Sequence, residues 1–244
     1  MVTKEVYQNL EESTAIVSDI DNTLIGSRMA ESGLSLVKHV WGQGRYWTAI
    51  TGFFGGLKVL GGTALKKSRG KLYADNWGLQ TYHRILSKHK ITREEVDTVL
   101  RKYVEKHEML GAKEFLDYLK NLENEKVLLL TTTGPSNGAE VCQEYFGADD
   151  YVANTVLYDG EFVSDIKLDM KTSDDRKRLT EEKLAKFGRR LEDSIVIGDS
   201  EPDWLLMRCA KVSIASPQAD NGTIARADLH IRDFREFIPQ VKTF

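Results

Sequence analysis

The sequence predicts an α/β fold: a doubly wound parallel sheet with an inserted helical segment. Three observations carry that reading. Short, nearly continuous apolar runs recur at 15–18, 127–131, 151–157, 194–197 and 211–214. Amphipathic helical patterns lie between several of them. The interval 25–111 breaks the alternation with helical patterns alone. Strands apolar on both faces and separated by helices belong to parallel sheets covered on both sides. A chain of 244 residues, 41% of them hydrophobic, can bury such a core.

The first strand runs straight into Asp19-Ile20-Asp21-Asn22-Thr23-Leu24. Period two puts Asp19 and Asp21 on one face. Just past the strand end, both can instead reach one pocket at the carboxyl edge of the sheet, where open α/β folds place their ligands. Two acids so close repel each other unless a cation or a proton separates them. Fold stability gives no reason for the pair. Metal-assisted chemistry with a carboxylate nucleophile does.

Over 25–111 helical patterns run at 29–40, 79–88 and 92–107. The last has Thr92 at the N-cap, Glu95 at the capping-box position, and Val96, Val99, Leu100, Tyr103 and Val104 at helical spacing. The expected organisation is a core domain of residues 1–24 and 112–244 interrupted by an α-helical cap domain at 25–111. Within the cap, 40–70 sets Trp41, Tyr46, Trp47, Phe53 and Phe54 among many glycines. That composition fits tight helix–helix packing. An apolar lid, a dimer face and a peripheral membrane contact are the alternatives. Five glycines and a central Lys58 in 47–65 argue against a membrane-spanning helix. Lys66, Lys67, Arg69 and Lys71 read as a solvated face.

The core resumes with a helix at 112–122, apolar at Phe115, Leu116 and Leu119. The strand 127–131 ends in Thr131, Thr132 and Thr133, then Gly134. A hairpin follows from 151 to about 162, turning at Tyr158-Asp159-Gly160. The helix 175–187 begins with Arg176-Lys177-Arg178 and carries Leu179, Leu184 and Phe187. The strand 194–197 ends in Gly198-Asp199-Ser200-Glu201-Pro202-Asp203, whose Asp199 and Asp203 are spaced i, i+4.

Composition excludes several classes. A net charge of −3 does not suit a general nucleic-acid binder. Cys142 and Cys209 are too few for a disulfide framework or zinc cluster, and read as thiols in a reducing compartment. The polar N-terminus is not a signal peptide, so a cytoplasmic location is expected. His39, His83, His89, His107 and His230 have no metal-like spacing and are expected at surfaces.

The ordered motifs resemble the haloacid dehalogenase (HAD) superfamily of phosphohydrolases. They are Asp19-x-Asp21-x-Thr23, an apolar strand ending in Thr, a Lys, and Gly198-Asp199-x-x-x-Asp203. The resemblance implies a Rossmann-like core and assigns roles. Asp19 is the nucleophile that becomes an aspartyl phosphate. Asp21 is the general acid, then the base that activates water. Thr131 and Lys177 hold phosphoryl oxygens. Thr132 or Thr133 are alternatives to Thr131, and Lys171 or Arg176 to Lys177. Asp199 completes a Mg²⁺ site with the Asp19 side chain and the Asp21 carbonyl. Asp203 orients the ligands or Lys177.

A helical cap directly after the first motif, with only a hairpin after the second, is similar to the phosphoserine phosphatase-like branch. So is Phe146-Gly147-Ala148-Asp149-Asp150-Tyr151-Val152-Ala153-Asn154 followed by Asp159-Gly160. The cap departs from that branch, which has Ser at position 22 and Glu at position 28. Here they are Asn22 and Arg28. Arg28 suits a second anionic group, and Glu31, one turn on, could take the glutamate's place. The implied function is a Mg²⁺-dependent phosphatase acting on a small phosphorylated metabolite, with no nucleic-acid partner and a homodimer as one possible assembly. A phosphotransferase or mutase using the same intermediate is the alternative. A non-catalytic binding protein using the aromatic cap is the third reading. A dehalogenase proper is disfavoured, because dehalogenation has no need of Asp21.

Overall fold

A computed structural model describes residues 3–26, 32–46, 48, 49, 52, 57 and 71–241. Its centre is a seven-stranded sheet of order β4-β3-β2-β1-β5-β6-β7. The strands are β1 (Ala15–Asp19), β2 (Val127–Pro135), β3 (Asp150–Asp159), β4 (Phe162–Lys167), β5 (Ser194–Gly198), β6 (Val212–Ala215) and β7 (Leu229–His230). Every neighbouring pair is parallel except β3 and β4. Those two form the expected hairpin, turning through Gly160 at φ 59°.

Strand alternation sends side chains to two cores. Ile16, Leu128, Leu130, Ile195, Ile197 and Ile214 face one apolar cluster. It includes Leu10 of α1 (Lys4–Glu12), Phe115 and Leu119 of α5 (Ala112–Lys120), Cys142 of α6 (Ser136–Phe146) and Phe234 of α9 (Phe234–Val241). Ala15, Val17, Leu129 and Val196 face the other, with Leu184 of α7 (Ser173–Lys186) and Leu206 of α8 (Trp204–Cys209). Helices therefore cover both faces of the sheet, as expected for a doubly wound α/β fold.

α1 lies in the stretch read as merely polar. Thr3 caps it, and Leu10 is its buried residue. Lys126, almost wholly buried, donates to the carbonyls of Glu11, Leu122 and Asn124. One ammonium thus meets the carboxyl ends of α1 and α5.

Among the described residues, 25–111 holds α2 (Ser32–Gly42), α3 (Lys71–Lys88) and α4 (Arg93–His107). Thr92 and Glu95 form the expected capping box. The segment leaves and rejoins the core through an antiparallel bridge between Ile25 and Glu108. Gly26 donates to the His107 carbonyl at 2.8 Å, and Met109 to that of Leu24 at 2.8 Å. The helices are closely joined to the core. Val96, Val99 and Tyr103 share its larger apolar cluster. Arg93 pairs with Glu140 at 2.9 Å and Arg101 with Glu144 at 2.6 Å, linking α4 to α6. α3 packs against β4. Trp41 and Tyr46 are exposed and meet edge-to-face at 4.9 Å. Arg28, Glu31, Trp47, Phe53, Phe54, Lys58, Lys66, Lys67 and Arg69 lie outside the described residues.

His83 departs from the expected surface position. It is 1% exposed, because its face of α3 is covered, and its Nδ1 lies 2.9 Å from the Leu79 carbonyl. Burial holds the imidazole below its ordinary pKa. The unfolded chain then binds this proton more readily than the folded protein. Stability from neutral His83 is present above about pH 6.5 and declines as pH falls through that value. Unfolding midpoints measured from pH 8 to 5 should fall less steeply for His83→Gln than for wild type. Parallel profiles would show that His83 is not the source.

Candidate active site

β1 and β2 run in register, so Asp19 lies beside Thr131. Period two puts Asp19 on the Val17 face and Thr131 on the Leu129 face, both toward α7. α7 answers with a buried stripe of Arg176, Thr180 and Leu184, spaced four residues apart. Arg176 is 2% exposed. Its Nε donates to Thr131 Oγ1 at 3.0 Å, and its Nη2 to Asp19 Oδ1 at 2.9 Å and to the Thr131 carbonyl at 3.2 Å. Nη1 forms an ion pair with Asp203 Oδ1 at 2.7 Å.

The basic side chain that the structure brings to Asp19 is Arg176, the alternative to Lys177. Lys177 is one residue on, about 100° around the helix. It faces solvent and pairs with Glu181 Oε1 at 2.5 Å. Lys171 contributes its backbone N–H to Asp175 in the capping turn of α7. Counting back from Leu184 in steps of four would have selected Arg176.

The loop after β5 is organised by Asp203. Its Oδ2 accepts from the backbone N–H groups of Asp199 at 3.0 Å and Ser200 at 3.1 Å. Ser200 Oγ donates to Asp199 Oδ1 at 2.9 Å. The Asp220 N–H donates to the Asp199 carbonyl at 2.8 Å. Gly198 leaves the space this requires. A Cβ there would lie 2.5 Å from Asp203 Cβ and 2.6 Å from its Cγ.

The loop after β1 is a tight turn. The Ile20 carbonyl accepts from Leu24 N–H at 2.9 Å and Ile25 N–H at 3.1 Å. Asn22 takes a left-handed backbone at φ 56°, which Asn adopts more readily than most residues. Asp21 is half-buried, and its Oδ2 accepts from Thr132 Oγ1 at 3.3 Å. The same hydroxyl accepts from the Gly134 N–H at 2.9 Å. The two threonines thus divide their work: Thr131 holds Arg176 and Thr132 reaches Asp21.

Asp19, Asp199 and Asp203 are buried and offer carboxylate oxygens within 4.8 Å of one another. Burial first, then Asp203, Asp199 and Asp21, drives the Asp19 carboxyl well above the ordinary carboxylate range, while Arg176 opposes the rise. One guanidinium does not balance this many acids. The donor set, hard oxygens with a charge deficit, fits a divalent cation.

A model of the haloacid dehalogenase-like hydrolases matches residues 16–208. The chain belongs to this family. Solved structures agree on the fold. A phospho-aspartyl intermediate analogue of phosphoserine phosphatase is 21% identical, with a TM-score of 0.68, covering 94% of this chain and 99% of its own. A substrate-bound phosphoserine phosphatase complex is 20% identical, with a TM-score of 0.66 and coverages of 93% and 98%. A HAD family hydrolase from Salmonella enterica serovar Typhi is 17% identical, with a TM-score of 0.67 and coverages of 94% and 77%. Among curated proteins none matches the chain by sequence. No described helix is long and apolar enough to cross a membrane.

Within this haloacid dehalogenase-like site, Arg176→Met leaves Asp19 and Asp203 buried without their counter-charge. It should destabilise the fold by about 3–5 kcal/mol in denaturant titrations. Lys177→Met should leave both the unfolding midpoint and any turnover unchanged. The reverse ranking would return the role to Lys177. Gly198→Ala should displace Asp203 and weaken divalent-cation binding, read by isothermal calorimetry with Mg²⁺. Unaltered Mg²⁺ affinity in a folded Gly198→Ala protein would contradict that role for the glycine.

Proposed function

We propose that the protein is a Mg²⁺-dependent phosphatase that hydrolyses a small organic phosphate monoester through an aspartyl phosphate on Asp19. The observation that carries this reading is the Asp19 carboxylate, held through Oδ1 by Arg176 beside Asp199 and Asp203, with Asp21 on the loop that follows. The similar structures named for a substrate complex and a phospho-aspartyl analogue of phosphoserine phosphatase support it.

Asp19 attacks phosphorus, and the ester oxygen departs with its electron pair. Asp21, protonated at that stage, gives the leaving oxygen its proton. Asp21 then takes a proton from water, and the hydroxide formed displaces Asp19 from phosphorus. Inorganic phosphate and the Asp19 carboxylate are the products. Thr132 holds Asp21 in place for both transfers, and Arg176 keeps one oxygen of Asp19 fixed so that the other faces phosphorus. Mg²⁺, held by Asp19, Asp199 and the Asp21 carbonyl, would neutralise charge on the phosphoryl oxygens. Asp203 positions Arg176 and the Asp199 loop.

The helices of 25–111 form the cap over this site, and Arg28 and Glu31 are assigned to substrate selection there. The cytoplasm is the proposed compartment, consistent with Cys142 and Cys209 as free thiols.

Purified protein with Mg²⁺ should release phosphate from p-nitrophenyl phosphate with no added acceptor. Asp19→Asn should abolish turnover, and Asp21→Asn should lower kcat by roughly 10²–10⁴-fold. Full activity in Asp19→Asn would overturn the mechanism. Phosphate release only with an added acceptor alcohol would favour a phosphotransferase instead.

A further inference from the structure

The loops that carry Asp21 and Asp199 are both braced by the segment that follows β6. β6 pairs in parallel with β5, and Ala215 stands opposite Gly198. Ser216 comes next and is wholly buried. Its N–H donates to the Gly198 carbonyl at 3.0 Å. Its Oγ donates to the Asn22 carbonyl at 3.1 Å. One serine thus reaches past the end of β5 to the turn after β1. Four residues on, Asp220 holds the Asp199 carbonyl through its own N–H. Between the two the chain turns, with the Ala219 N–H donating to the Ser216 carbonyl at 3.0 Å. Pro217 is the second residue of that turn. A proline there fixes its own φ and confines the residue before it to extended backbone, so the Ser216 hydroxyl starts from a restricted position.

The bond to Asn22 falls where the first loop is strained. Asn22 stands between Asp21 and Thr23 with a left-handed backbone at φ 56°. A non-glycine residue is held there at a cost, and such strain persists where the surroundings over-determine it. Ser216 supplies a restraint from a strand two places away in the sheet. The Asn22 carbonyl begins the peptide that leads to Thr23, so holding its oxygen fixes the turn immediately after Asp21. The Thr132 hydroxyl meets the Asp21 carboxyl at 3.3 Å, long for an O–H···O bond. The backbone turn adds to the aim of that carboxyl.

We propose that Ser216 is a positioning residue for Asp21: its hydroxyl holds the Asn22 carbonyl and so keeps the turn in the form that aims the Asp21 carboxyl at the leaving oxygen. The assignment rests on the phosphatase reading above. In that reaction the Asp21 proton passes to the ester oxygen as the P–O bond breaks, and the transfer needs the two oxygens within hydrogen-bond reach. A displacement of about 1 Å in such a group costs roughly 10²-fold. The consequence is selective in a way that a loss of stability is not. p-Nitrophenolate is a stable anion and departs with little help from an acid. Phenolate, whose conjugate acid has a tyrosine-like pKa of about 10, depends on the proton far more.

The test measures kcat/KM with Mg²⁺ on p-nitrophenyl phosphate and phenyl phosphate. The proteins compared are wild type, Ser216→Ala, Asp21→Asn and the double variant Asp21→Asn/Ser216→Ala. Unfolding midpoints establish that each is folded. Ser216→Ala should lose about tenfold or more on phenyl phosphate beyond whatever it loses on p-nitrophenyl phosphate. Asp21→Asn should show the same bias more strongly. In the double variant the serine change should add less than about twofold to the Asp21→Asn loss, because the group it aims is already gone. Equal losses on the two esters in Ser216→Ala, or losses that multiply in the double variant, would make Ser216 a support of the fold at large and overturn the proposal. Wild-type rates on both esters in Ser216→Ala would overturn it as well. Either result leaves the phosphatase reading intact, since wild type still turns over both esters. No hydrolysis of either ester by wild type would bring down both.

Discussion

The interaction on which the rest depends is the buried Arg176 guanidinium between Asp19 and Asp203. Both carboxylates are withdrawn from water, where an unpaired charge is costly. A guanidinium serves both because its N–H groups diverge in one plane. Nε and Nη2 clasp Thr131 and Asp19 across two strands, while Nη1 reaches Asp203 on the loop after a third. β1, β2, β5 and α7 are thereby fixed to one another at the reacting edge. An ammonium on a flexible stem offers no such planar fork. The neighbouring lysine is solvated for the same geometric reason that the arginine is buried.

The strands were legible because buried parallel strands are nearly all apolar, and every run read as a strand overlaps one. Thr92 and Glu95 announced α4 because a capping box is a local device, complete within four residues. α1 escaped because its apolar face is only Val6, Tyr7 and Leu10 in an otherwise polar nine-residue helix. β7 has two residues, too few for a pattern. In the site, Asp19, Asp21, Asp199 and Asp203 stood out as acids at strand ends. The sequence favoured Lys177 over Arg176, because both fit a basic helix start and only the phase set by Leu184 divides them. Gly198 was visible as part of a motif. Its reason, the Asp203 side chain lying where a Cβ would be, exists only in three dimensions.

Asn76 marks another limit. A buried amide on a helix has neither hydrophobic periodicity nor a motif, so nothing in the sequence distinguishes it from a surface asparagine. Its role comes from Met170 and Asn154, far along the chain. The Ala153-Asn154 pair, by contrast, was readable as a pattern. The structure supplies its physics: one amide that clasps the end of β2 to the loop leading into α7.

The paired linkers at Leu24–Gly26 and His107–Met109 have an architectural consequence. Two antiparallel backbone bonds bring the ends of the helical segment side by side. A chain leaving and returning at adjacent points needs no change in the sheet to accommodate whatever lies between. The segment is in that sense a graft on a loop, and its sequence can diverge without disturbing the order of the strands. The brake on such divergence is α4, whose apolar face is shared with α6. Replacement of the whole segment would leave that face of α6 open to water, so drift is limited wherever the segment packs on the core, by α4 on α6 and by α3 on β4.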